Sequence, residues 1–243
     1  MSYSIISTLA IILNLIINRE EFRYYRIHSG EHKSEQRTAI RYRHFLLAAN
    51  CYFVVDIAWG LLYEYHHIEA LFPVLYFDCI LYFLFIFVTM LTWIRYVVAY
   101  LDMHNRKSKA LLYAVWAMFT LALIYLIVNN FKPFIFSFNE QHEYIIEPGR
   151  HIAFILQVVL YLVTSTYMLF LAHKSTGGEK TRYIAVGLTC LVMEFFLIFQ
   201  LFDDRYPSYA TGLIIGICLI HSYVEAGERK EKEIIPFYMS ITS

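Results

Sequence analysis

Three carboxylates, Asp56, Asp78 and Glu194, stand inside long apolar stretches of the sequence. A charge at the centre of a membrane helix costs on the order of 3 kcal/mol even on the lenient insertion scale, so all three are expected to face the interior of a helical bundle. Counted at about 1.5 Å per residue from the nearest loop, they lie roughly 9–14 Å deep, all in the outer half of the membrane. No Lys or Arg is read in that half of any span. Three states stay open for the acids: protonated, hydrated in a cavity, or paired with a cation from outside. Tyr52, Asp56, Trp59 and Tyr63 follow i, i+4, i+7, i+11 spacing, which is one face of one helix, and Tyr82 lies one turn beyond Asp78. Aromatic rings beside carboxylates suit an amine or another cation. The expected site is an outward-opening pocket for a small ligand, lined by Asp56, Asp78, Glu194, Tyr52, Trp59, Tyr63 and Tyr82. The bland alternative is that each acid is neutral and hydrogen-bonded between helices for packing.

Other reactive residue types carry less. The four cysteines, Cys51, Cys79, Cys190 and Cys218, lie in apolar stretches with no C-x-x-C pair, and read as small packing residues. His66, His67, His142 and His151 lack the spacing of a tetrahedral site and read as surface histidines. No metal and no cofactor is expected. A retinal Schiff base needs a lysine in the last apolar stretch, which has none. The sequence has no G-x-x-x-x-G-K-[ST] phosphate loop, no H-E-x-x-H zinc helix and no G-x-S-x-G elbow. The polar loops are too short for a catalytic domain, so no enzyme activity and no nucleic-acid partner is expected. Gly212 and Gly216 form G-x-x-x-G, with Ser208 extending the small face. Such a face suits either packing within the bundle or a homodimer contact.

The elements that must position these residues follow from composition. Hydrophobic residues make up 59% of the 243 residues and charged ones only 16%, against about 25% charged in a soluble domain. The apolar residues fall in blocks of about 18–25, each long enough to cross a hydrocarbon core of about 30 Å as a helix. Ile80 to Met90 does not alternate, which argues against a β-barrel. The spans are expected at Ser4–Ile17, Phe45–Tyr63, Phe72–Trp93, Ala110–Val128, His151–Ala172, Tyr183–Phe202 and Tyr209–Val224. No positive charge precedes the first and no small-residue cleavage site follows it, so it reads as an uncleaved span. Alternate loops gather Arg19, Arg23, Arg26, Arg37, Arg106, Lys107, Lys174, Lys180 and Arg229, whereas the opposite loops hold only Lys132, Arg150 and Arg205. The positive-inside rule then places the N-terminus outside and the C-terminus in the cytoplasm. The fold class is all-α, a polytopic bundle of about seven transmembrane helices over residues 1–224, followed by a cytoplasmic juxtamembrane stub at 225–243. Pro73, Pro133, Pro148 and Pro207 all fall at outer ends or outer loops, and none lies mid-span. Within the longest outer loop, Phe134-Ile-Phe-Ser-Phe138 is either a hairpin strand or an interfacial aromatic anchor. The loop from Arg19 to Arg41 reads as a helical extension and a link, and Arg95 as a snorkelling residue.

Several of these segments resemble a known family. They are Tyr42-Arg-His-Phe-Leu-Leu-Ala48, Asp56-Ile-Ala-Trp-Gly-Leu-Leu-Tyr-Glu64, Leu75-Tyr-Phe-Asp78, Leu81-Tyr-Phe83 and Trp93-Ile-Arg-Tyr-Val-Val-Ala-Tyr-Leu101. The last span, Gly212 to Ser222, adds to them as it runs into Val224-Glu-Ala-Gly-Glu-Arg-Lys-Glu-Lys-Glu233. Together they are similar to the seven-helix membrane input region of bacterial signalling proteins, chiefly GGDEF diguanylate cyclases and hybrid histidine kinases of anaerobic Firmicutes. In that family the last span continues as a charged helix into a cytoplasmic enzyme. Here Ile234-Ile235-Pro236 breaks the pattern and no GGDEF motif follows, so the resemblance implies a truncated, frameshifted or free-standing input module. The expectation is a sensory, receptor-like bundle in a bacterial plasma membrane. Its partners would be the lipid bilayer, an unidentified small ligand, a cytoplasmic signalling protein and, as one option, a second copy of itself. The rival expectation is a small proton- or cation-coupled transporter, since intramembrane acids without basic partners suit such coupling.

Overall fold

The computed structural model describes residues 2–23, 33–101, 106–202 and 206–225. Within them the chain forms helices α1 (Ser2–Ile17), α2 (Arg19–Arg23), α3 (Lys33–Glu64), α4 (Phe72–Tyr100), α5 (Arg106–Asn129), α6 (Pro148–Lys174), α7 (Gly177–Phe202) and α8 (Ser208–Ile220). A 3₁₀ turn at Glu69–Leu71 leads into α4, and a π-helical turn at His221–Glu225 extends α8. Proline sets three of the starts. Pro73 lies in the first turn of α4, Pro148 in the first turn of α6, and Pro207 caps α8. These are positions where a missing N–H costs nothing, because the first turn has no partner for it.

Five helices, α3 to α7, are long and apolar enough to cross a membrane, while α1 and α8 are shorter apolar helices. Every apolar block expected to span is helical. The helix α3 begins at Lys33, well before the apolar block at Phe45. Residues 24–32, in the expected link, lie outside the described residues, as do residues 226–243 with most of the charged stub. Around the bundle α1 packs on α3, α3 on α4, α4 on α5, α6 on α7 and α7 on α8, and α8 closes back on α1. The helix α4 runs through the middle: from Thr89 to Val98 every residue except Arg95 is buried.

The distribution of polarity is inverted relative to a soluble protein. Ser7, Asn14, Asn18, Asp56, Gln157 and Ser165 are wholly buried, while Ile16, Val54, Ile127 and Phe195 are each more than half exposed. Water would penalise both features, by leaving apolar surface wet and polar groups dry. Lipid rewards the outer face and forces the backbone into helices. Buried Thr89, Thr164 and Thr189 satisfy their hydroxyls by donating to the carbonyls four residues earlier, at 2.7, 2.7 and 2.9 Å.

At one end of the bundle sits a small antiparallel hairpin, β1 (Phe136–Phe138) with β2 (Tyr144–Ile146), so the second half of the aromatic run Phe134–Phe138 is a strand. Its anchor is Asn129, buried at the last turn of α5. The Asn129 Oδ1 accepts the N–H groups of Phe134, Ile135 and Phe136 at 2.8, 2.7 and 3.3 Å, and its Nδ2 donates to the Phe136 carbonyl at 3.0 Å. Gly149 is required where the hairpin meets α6, because a Cβ there would stand 2.3 Å from the Phe134 ring. This end, where α3 and α7 stop and α4, α6 and α8 start, is called the hairpin end below.

Candidate functional site

The face of α3 foreseen from its spacing turns inward near the hairpin end. Asp56 is completely buried and accepts hydrogen bonds from the hydroxyls of Ser7 on α1 and Tyr52 on its own helix, the latter at 3.3 Å. Trp59 stacks on Tyr63, with ring centroids 5.1 Å apart and planes 6° from parallel. Tyr82 on α4 lies 5.7 Å from the Tyr52 ring and 6.2 Å from the Trp59 ring. Asp78, one turn before Tyr82, is buried within Coulombic reach of Asp56, and its Oδ2 has no hydrogen-bond partner. Six of the seven residues expected at the site thus form one neighbourhood on α3 and α4. Glu194 belongs elsewhere: it lies on α7, one turn from Cys190, which accepts the Trp93 indole N–H at 3.4 Å. Its Oε2 is buried without a partner. Among the described residues no hydrogen bond joins Glu194 to Asp56 or Asp78.

One premise of the sequence reading is overturned. A basic group does enter this half of the bundle. Arg150 is 3% exposed, because α6 starts at Pro148 and so brings position 150 into its first turn, facing inward. Its guanidinium lies 5.3 Å over the Phe154 ring, one turn on, and donates to the Gln200 carbonyl on α7 at 3.2 Å. The Gln200 Oε1 in turn accepts the Ser208 and Tyr209 N–H groups at 2.8 and 3.3 Å, capping α8. Arg150 and Gln200 wall a cavity of about 30 Å³ together with Trp59, Cys79, Tyr82, Phe83 and Tyr144 of the hairpin. A water needs roughly 10–15 Å³ of such space, so the chamber takes a water or two. Its walls present a guanidinium, an amide, a thiol and aromatic rings, and no carboxylate. As folded here it is too small for an organic amine.

The side-chain amide of Gln157 on α6 is buried without a partner, and the buried hydroxyls of Tyr161 on α6 and Tyr209 on α8 lie within interacting range of each other. Tyr209 meets the Tyr52 ring edge-on, with centroids 5.0 Å apart. Buried polar groups of this kind are satisfied by ordered water more often than they are left bare.

The largest feature that the sequence reading passed over is the polar face of α1. Ser4, Ser7 and Asn14 lie on its buried side within an otherwise apolar block, and Asn18, the residue that follows α1, continues them at helical spacing. Ser4 donates to the Ile57 carbonyl at 3.3 Å, Ser7 to Asp56, and Asn14 to the Asn50 Oδ1 at 2.9 Å. Asn18 donates to the Asn14 Oδ1 at 2.8 Å. The Asn18 Oδ1 accepts the Tyr42 hydroxyl at 3.0 Å and lies 3.2 Å from the His221 Nδ1. The polar groups on the seam of α1 and α3 therefore form a ladder of two hydrogen-bonded clusters, Ser7, Tyr52 and Asp56 near the hairpin end and Asn50, Asn14, Asn18, Tyr42 and His221 toward the opposite end, with the buried Ala10 of α1 between them. The signal was present in the sequence as polar residues three, seven and four apart.

The remaining residues fall as follows. Gly212 and Gly216 pack against α7: a Cβ on Gly212 would lie 2.7 Å from the Phe196 Cβ, and one on Gly216 would lie 3.0 Å from the Thr189 methyl. Ser208 is buried on the same helix. That small face is occupied within the chain. Cys79 and Cys190 are buried, Cys218 is half-buried and Cys51 is exposed; all four are free thiols. Among the described residues no group of His, Cys, Asp and Glu is arranged to hold a metal. The His66 Nδ1 lies 2.8 Å from the Tyr63 carbonyl, and the His142 ring stacks on Phe72 with centroids 4.3 Å apart. Arg95 lies 5.9 Å over the Trp116 ring of α5.

With this geometry in hand, comparison with protein-family models, with curated proteins and with solved structures found no match to the chain.

Proposed function

We propose that this chain is a sensory, receptor-like module embedded in a bacterial plasma membrane. It crosses about seven times, with α1 and α8 serving as the first and last spans. The hairpin end faces outward and the His221 end faces the cytoplasm, in accord with the crowding of Lys and Arg in the loops at that end. The observation that carries the reading is the polar ladder. Its two clusters sit on one helix, α1, the first at a buried carboxylate near a chamber with room for water and the second at the turn through which α8 leaves the bundle, so a shift of α1 as a rigid rod couples them. A change in hydration, protonation or occupancy around Asp56 and Asp78 alters what Ser7 and Tyr52 donate to. The helix α1 then repositions against α3, and Asn18 releases or holds His221. The result is a two-state population shift at the end of α8. The resemblance to the input regions of bacterial cyclases and kinases supports the same direction of signal flow.

The test is a fusion of the module, through Glu233, to a reporter kinase in the bacterial membrane. Asp56→Asn, Asp78→Asn and Asn18→Ala are expected to change the basal output. Output unchanged by all three substitutions would contradict the proposal. A second reading, a small proton-coupled transporter, has one observation in its favour: the unpartnered buried polar atoms of Asp78, Gln157 and Glu194. Proton-driven uptake into sealed vesicles, lost in Asp78→Asn, would favour it.

A further inference from the structure

The helices α5 and α6 do not close against each other. Ala110, Ala114 and Ala117 on α5 face Leu156, Val159 and Val163 on α6 across a crevice of about 650 Å³. The small side chains of α5 supply no knobs to fill it, and α5 makes its main contacts with α4 instead. The crevice runs from Lys107 to Leu121, roughly 21 Å along α5 at 1.5 Å per residue, which is more than one leaflet of hydrocarbon. Its walls are almost entirely aliphatic, and it opens sideways on the apolar exterior. Its mouth differs in character. Lys107 sits in the first turn of α5, with its Nζ 5.5 Å over the Tyr167 ring and 5.9 Å over the Phe170 ring. Lys174, in the last turn of α6, places its Nζ 4.4 Å over the same Phe170 ring. Two ammonium groups thus flank one aromatic platform where the two helices leave the apolar layer.

We infer that the α5–α6 crevice is a binding site for an anionic phospholipid, with one acyl chain between the helices and the headgroup phosphate held at Lys107 and Lys174. Charge complementarity selects this occupant over a neutral lipid, because two lysines at one interface attract a phosphate. The length and the aliphatic lining of the crevice select an acyl chain over a polar ligand. The inference needs only that the chain lies in a bilayer, and it is independent of the sensory reading.

The test uses the whole chain in detergent micelles, titrated with phosphatidylglycerol or phosphatidylcholine. The readouts are the apparent melting temperature and the lipid retained after gel filtration. Wild type is expected to retain phosphatidylglycerol saturably and to melt higher with it, and phosphatidylcholine is expected to do less. Lys107→Gln and Lys174→Gln are each expected to weaken phosphatidylglycerol about fivefold, the factor a basic residue supplies near an anionic surface, while leaving phosphatidylcholine unchanged. Ala117→Phe, which fills the crevice from a lipid-facing position, is expected to abolish saturable retention of both lipids without lowering the melting temperature of the lipid-free protein. Equal retention of the two lipids by wild type, or undiminished retention by Ala117→Phe, would overturn the site. If Ala117→Phe fails to fold, Val163→Phe on the opposite wall gives the same readout.

Discussion

The two seams of this bundle are built on opposite principles. Where α1 meets α3 and α8, the contact is polar and closed: Ser7, Asn14 and Asn18 reach Asp56, Asn50, Tyr42 and His221, and the small face of Gly212 and Gly216 locks α8 to α7. Where α5 meets α6, the contact is apolar and open, and alanines face aliphatic side chains across a crevice of about 650 Å³. In a bilayer the apolar seam gains nothing from closing, because lipid tails are as apolar as Leu and Val. Polar groups have no such substitute, so the first seam is held in register by partners that lipid cannot supply. On the proposed reading, one seam fixes geometry and transmits it, whereas the other exchanges a lipid without disturbing the fold.

The sharpest way to break the comparison is Asp56→Ala. It removes the acceptor for Ser7 and Tyr52 and leaves both hydroxyls dry, for an expected loss of about 2–4 kcal/mol in reversible unfolding in micelles. Gly212→Leu forces side-chain atoms into Phe196, and about 1–3 kcal/mol is expected from the same measurement. Asn18→Ala removes contacts to Asn14, Tyr42 and His221, with an expected cost of about 1–2 kcal/mol. It is also expected to speed hydrogen exchange at the end of α8, with little change in α5. At the open seam, Ala117→Phe is expected to stay within about 0.5 kcal/mol of wild type, as a substitution on a lipid-facing surface. A cost at Ala117 matching that at Gly212 would erase the distinction between the seams.

The sequence carried the helices and hid their partners. Apolar block length and the placement of Pro73, Pro148 and Pro207 located the starts of α4, α6 and α8 to within a few residues, since these are local properties. The inward face of Tyr52, Asp56, Trp59 and Tyr63 was equally legible, because helical spacing alone decides which residues share a side. The polar stripe of α1 was just as visible and was masked by treating Ser4–Ile17 as a uniform apolar block. Arg150 was not legible. Its burial depends on Gln200, fifty residues away, and on α6 starting three residues earlier than hydropathy implied. Glu194 was expected at the depth of Asp56 and Asp78 by counting along the chain, but it lies on α7 with no hydrogen bond to either, because a count of depth says nothing about rotation around the bundle axis. The small face of α8 named no partner either: a stripe of glycine suits any helix, and only the fold shows that α7 fills it.

The most direct test of the central claim places a trifluoromethyl-phenylalanine probe at Tyr223, which is exposed in the π-helical turn beside His221. Fluorine spectra are then recorded in nanodiscs for wild type, Asp56→Asn and Asn18→Ala. If the ladder links the buried acid to the end of α8, two resonances are expected, and both substitutions should shift their ratio in the same direction. A single resonance unchanged by Asp56→Asn would contradict the account.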